Sequence, residues 1–185
     1  MRLCVFCGSK HGARPVYAQA AEAVGRLLAS WGVGVVYGGG HVGLMGVVAD
    51  AALRHGGKVI GVIPRAMVEE ELAHGGLSEL HVVTTMHERK ALMAASSDGF
   101  LALPGGLGTA EEFFEIVTWR QLELHRKPVG LLNIEGYFDP LLAWIERGQS
   151  EGFIKPRHAA HILSGTDPEE LLHRLLAQAR PGGTS

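Results

Sequence analysis

The sequence has no apolar stretch near the roughly 18 residues that a membrane-spanning helix needs, and this argues against a bilayer partner. It has no run of basic residues, and its formal charge is −2. A polyanion such as a nucleic acid is bound by neutralising its backbone, so a polynucleotide partner is not expected. There are only two cysteines, Cys4 and Cys7. Their C-x-x-C spacing marks a redox or metal site when it opens a helix, but here it falls along an apolar segment that reads as a strand, where residues three apart face opposite ways. Two buried, reduced thiols are expected, as in a cytoplasmic protein. The N-terminal apolar run is too short for a signal peptide. No internal repeat and no low-complexity segment appears before the tail at 181–185, which reads as a flexible end to a single domain over residues 1–180.

What the chain has in excess is glycine, 26 in 185 residues, about twice the usual share of roughly 7%. The glycines gather at the ends of apolar runs. Those runs alternate with amphipathic segments, giving strands near 2–7, 33–37, 58–63, 80–84, 99–103, 129–132 and 160–163 and helices near 15–31, 43–55, 86–96, 109–124, 137–148 and 167–178. Segments such as Val59-Ile60-Gly61-Val62-Ile63 are apolar on both faces, as in parallel strands covered by helices. The expected fold is α/β, a Rossmann-like three-layer sandwich with a mainly parallel sheet of about seven strands. Its ligands bind beyond the carboxyl ends of the strands.

Two glycine clusters follow strands. Gly38-Gly39-Gly40-His41-Val42-Gly43 contains G-x-G-x-x-G, but it follows the second strand and lacks the acid about 20 residues on that a dinucleotide site uses. Close packing of a helix on the sheet, or approach of bare amides to a small anion, are the remaining readings. Leu103-Pro104-Gly105-Gly106-Leu107-Gly108-Thr109-Ala110-Glu111-Glu112 runs from a buried strand into a helix. Its glycines allow N–H groups to curl around a phosphate at a positive helix end. Thr109 and Glu112 also have capping-box spacing, with Thr109 as the N-cap. A cap alone requires no glycines in front of it. With the helix opening there, Glu112 falls in the first turn, where the dipole favours its ionised form. An ionised carboxylate beside a sugar phosphate suits a group that positions water or stabilises an oxocarbenium-like transition state. Glu111 points about 100° away and is placed to bond another part of the ligand.

Thr84-Thr85-Met86-His87-Glu88-Arg89-Lys90 carries a second capping box, Thr85 with Glu88. Arg89 and Lys90 oppose the helix dipole in a first turn, so an anion or carboxylate is expected to compensate them, Glu112 among the candidates. Simple solvation of both is the alternative. Glu69-Glu70-Glu71 reads as a solvated acid run. The ten histidines show no metal pattern, and the five lysines no pyridoxal phosphate site, so no metal and no cofactor are expected.

Met86-His87-Glu88-Arg89-Lys90 and Pro104-Gly105-Gly106-Leu107-Gly108-Thr109-Ala110-Glu111-Glu112 resemble the M-x-x-R-K and P-G-G-x-G-T-x-x-E signatures of the LOG (Lonely Guy) family, also labelled lysine decarboxylase-like. The likeness extends through Phe6-Cys7-Gly8-Ser9, Gly43-Leu44-Met45-Gly46 and Lys127-Pro128-Val129-Gly130. It implies hydrolysis of the N-glycosidic bond of a nucleoside 5′-monophosphate to free base and ribose 5-phosphate. It also implies Arg89 and Glu112 as the catalytic pair. Substrate contacts are expected at Ser9, Gly39, Gly40, Glu71, Lys90 and Thr118, and along Gly105, Gly106, Leu107, Gly108, Thr109, Ala110 and Glu111. A homodimer is implied as well. The competing reading is a non-catalytic carrier of a nucleotide or of a phosphate-bearing ligand such as molybdenum cofactor, which would need the glycine loop but no carboxylate aimed at the sugar.

Overall fold

In the computed structural model, residues 1–68 and 73–179 are described. Glu69, Glu70 and Glu71 and the tail at 181–185 lie outside them. Seven strands form one sheet: β1 Arg2–Phe6, β2 Gly34–Tyr37, β3 Val59–Pro64, β4 Glu79–Val83, β5 Gly99–Ala102, β6 Val129–Leu132 and β7 Ile162–Gly165. Their order is β4-β3-β2-β1-β5-β6-β7, and every pairing is parallel. The helices are α1 Pro15–Ser30, α2 Gly43–Arg54, α3 Met86–Ala95, α4 Leu107–Gln121, α5 Asp139–Ser150, α6 Pro156–Ala159 and α7 Pro168–Ala179.

The sheet separates two apolar layers. One packs Val24 and Leu28 of α1, Leu44 and Val48 of α2, and Leu172 and Leu175 of α7 against Leu3, Val5 and Val35. The other packs Met93 of α3, Phe113 and Ile116 of α4, and Phe138 against Cys4, Phe6, Val36 and Phe100. Because side chains alternate along a strand, Cys4 enters the second layer and Cys7 the first. The thiols are free and buried, as the strand reading required. Burial, and then the charge of Glu112, push both thiols up from their ordinary value. The Glu112 carboxylate therefore lies within electrostatic reach of the carboxyl end of β1.

From β1 the chain winds outward to β4, then returns through α3 to β5 on the other side of β1. That reversal opens a crevice beyond the ends of β1 and β5, where open α/β sheets place their ligands.

Candidate functional site

The loops after β1 and β5 meet in this crevice. Gly8 N–H donates to the Pro104 carbonyl at 3.1 Å, and a Cβ at Gly105 would lie 2.1 Å from Thr109 Oγ1 and 2.8 Å from Gly8 N. Gly105 is thus required by close packing. Gly106 and Gly108 are not: a Cβ on either meets nothing within 4 Å, and neither has positive φ. Both are exposed.

Helix α4 opens three residues earlier than the capping-box pattern suggested. Its N-cap is Gly106, with φ −91° and ψ −155° and no side-chain cap, while Thr109 is the third helical residue and is buried. An extended glycine brings the chain into the helix directly, and the Thr109 hydroxyl is packed under Gly105. The N-cap residue therefore offers the first-turn amides no side-chain acceptor. Glu112 consequently stands in the second turn, beyond the main reach of the dipole. A cavity of about 330 Å3 adjoins this loop, lined among others by Ser9, Lys10, Tyr17, Gly105, Gly106 and Tyr137. Tyr17, Lys10 and Tyr137 carry no motif of their own, and sequence reading passed over them. The only signal was that the Gly8-Ser9 loop follows the first strand of a doubly wound sheet.

Arg89 and Lys90 go separate ways. The Thr85–Glu88 capping box forms in full, with Glu88 N–H donating to Thr85 Oγ1 at 3.1 Å. Arg89, 4% exposed, donates from Nε to the Val62 carbonyl at 3.0 Å and from Nη2 to the Gly38 carbonyl at 2.7 Å. Met67 and Met86 place their sulfurs 3.8 Å from Nη1. The guanidinium is held over the carboxyl ends of β2 and β3 by these two backbone carbonyls. Lys90 bridges to Glu111 at 2.5 Å and Glu115 at 3.0 Å, fastening α3 to α4. Burial works to lower its ammonium, but the hydrogen bonds and charge of the two glutamates prevail and raise it. Glu111, expected to meet the ligand, is thus engaged by Lys90.

The other glycine cluster is closed. Gly38, Gly39 and Gly40 are buried, Gly39 O accepts from His74 N–H at 3.0 Å, and Gly40 bridges to Ala73. A Cβ on Gly38 would lie 2.2 Å from Arg89 Nη2. Gly38 at least is set by close packing, as the packing reading of this motif has it. Ala110 is half-buried behind the first turn of α4, and Leu107 is exposed beside it. Thr118 is exposed on α4 eleven residues beyond Leu107, roughly 16 Å along the axis, and the fold of this chain does not bring it to the glycine loop.

Among the described residues, His41, Asp50 and His74 bring three possible ligand atoms within 4.8 Å. Gly76 N–H donates to His74 Nδ1 at 3.0 Å, so Nε2 carries the proton and donates to Asp50 at 2.9 Å. A cation at Nε2 would displace that proton and turn Nδ1 into a second donor facing Gly76. The pattern is that of a hydrogen-bonded strap tying residues 73–76 to α2.

An all-parallel doubly wound sheet with a glycine-lined helix N-terminus at its switch point defines a Rossmann-like α/β protein. The model of the family described as possible lysine decarboxylase matches residues 45–175. The chain belongs to that family. It is 51% identical over 174 residues to a probable cytokinin riboside 5′-monophosphate phosphoribohydrolase, LOGL1, of Oryza sativa subsp. japonica, covering 94% of this chain and 78% of that protein. It is 53% identical over 166 residues to the cytokinin riboside 5′-monophosphate phosphoribohydrolase of Rhodococcoides fascians, covering 89% and 84%. Among solved structures, the molybdenum cofactor carrier protein of Chlamydomonas reinhardtii superposes with a TM-score of 0.71 at 22% identity, covering 96% of this chain and 98% of that one. At that identity the likeness is one of fold.

Proposed function

We propose that this chain is a nucleoside 5′-monophosphate phosphoribohydrolase, hydrolysing the N-glycosidic bond of cytokinin riboside monophosphate, AMP or both to free base and ribose 5-phosphate. The observation that carries the reading is the open mouth of α4. Gly106 and Gly108 are glycines that the fold itself does not require, at an uncapped helix N-terminus, on the same helix as Glu112. The amides there take the 5′-phosphate. Glu112, on α4, positions water for attack at C1′ or stabilises the ribosyl cation as the base leaves. Arg89 supplies a fixed positive charge over β2 and β3, which suits retention of an anionic substrate. Relatives at 48–53% identity that are named for this activity support the assignment. The fold likeness to carrier proteins offers no comparable support for the carrier reading.

The protein acts in the cytoplasm as a homodimer. Two reduced thiols agree with the compartment, and the exposed apolar side chains of Leu122, Leu124, Trp144 and Phe153 agree with a partner surface. Among the described residues no helix is long and apolar enough to cross a membrane. Incubating the purified protein with AMP and with N6-isopentenyl-AMP, and assaying free base, tests the activity; base is expected from at least one, and none from either would overturn the reading.

A further inference from the structure

The loop that the proposed function relies on contains a Gly105-Gly106 peptide, whose plane no side chain of its own restrains. Gly106 has open space where a Cβ would stand. A peptide between two glycines turns over readily, and turning it would present a carbonyl to an anion in place of an N–H. The Tyr137 hydroxyl opposes that by donating to the Gly105 carbonyl. No cis peptide bond occurs among the described residues, so the Gly106 N–H lies on the opposite edge of the same plane from the carbonyl that Tyr137 holds.

Tyr137 is itself anchored with some effort. It follows a short 3-10 turn, Ile134–Gly136, in which Glu135 has φ +53° and Gly136 φ +71°. Left-handed backbone at a glutamate is uncommon and persists where its surroundings fix it. Here the Glu135 carboxylate meets Arg14 at 2.7 Å. Asn133, buried, accepts from Phe138 N–H and donates to Asp139, each at 2.7 Å. The Tyr17 ring stands edge-on to Tyr137 with centroids 5.6 Å apart. Tyr137 remains 41% exposed, so burial of its ring does little for the core. Its distinctive contact is the one with the loop.

We propose that Tyr137 is a positioning residue for substrate phosphate: by holding the Gly105 carbonyl it sets the direction of the Gly106 N–H as a donor to the 5′-phosphate. The proposal rests on the phosphate-loop reading of α4, and the test separates the two. AMP and adenosine are titrated calorimetrically into the natural protein and into Tyr137→Phe, with melting temperature and steady-state kinetics on AMP measured alongside. The natural protein should prefer AMP to adenosine. Tyr137→Phe should weaken AMP by about three- to tenfold, the scale of one hydrogen bond, leave adenosine unchanged, and raise KM far more than it lowers kcat. Its melting temperature should stay within about two degrees, since the ring is kept. If the natural protein does not prefer AMP, the phosphate-loop reading and this proposal fall together. If it does and Tyr137→Phe keeps the full preference, or weakens both ligands equally, the proposal alone falls.

Discussion

The two glycine-rich loops of this protein use the same residue for opposite ends. In residues 38–46 the space beside the glycines is filled by the protein itself: a Cβ on Gly38 would meet Arg89, Gly43 has φ +60° with Ser9 backbone 2.2 Å from where its Cβ would be, and a Cβ on Gly46 would lie 2.1 Å from the His41 carbonyl oxygen. In Gly105–Gly108 only the first is so constrained, and the rest face open space. A glycine that nothing in the chain requires points to something outside the chain. The G-x-G-x-x-G spacing, which looks more like a nucleotide motif on paper, is here a packing device. The shorter loop is the candidate for ligand contact.

Substitutions can break this contrast. Gly43→Ala should be the most damaging, because it combines left-handed backbone with collision against main chain; a loss of about 3 kcal/mol or more in chemical denaturation is expected. A stability within about 0.5 kcal/mol of the natural protein would show that the first loop is not packed as described. Gly108→Ala should go the other way. It sits in a helix with unobstructed space, so alanine should stabilise by about 0.5–1 kcal/mol, raising the melting temperature by roughly two degrees, while its methyl group encroaches on the phosphate and raises KM for AMP about tenfold. Greater stability with unchanged KM would place the ligand elsewhere.

Much of the architecture is legible in the sequence because parallel strands covered on both faces read as unbroken apolar runs, as in Val59–Pro64 and Val129–Leu132. Capping signals fared unevenly. Thr85 and Glu88 behave as their spacing says, whereas the same spacing at Thr109 and Glu112 misleads, because an extended glycine starts α4 three residues sooner and buries the threonine. Helix α6, only four residues long, leaves no periodicity to read. The destinations of the polar site residues were the least legible. Arg89 is held by carbonyls 27 and 51 residues away, and Tyr137 reaches a carbonyl 32 residues away. Such partners are set by the crossover order of the sheet, which local pattern does not encode.

In the proposed reaction Glu112 acts on a nucleotide whose phosphate is held at the mouth of its own helix. Measuring free-base release from AMP by Glu112→Gln, with AMP affinity determined on the same preparation, tests this most directly. A fall in kcat of about 10²–10⁴ is expected, with affinity changed less than about threefold. Turnover retained within tenfold would contradict it.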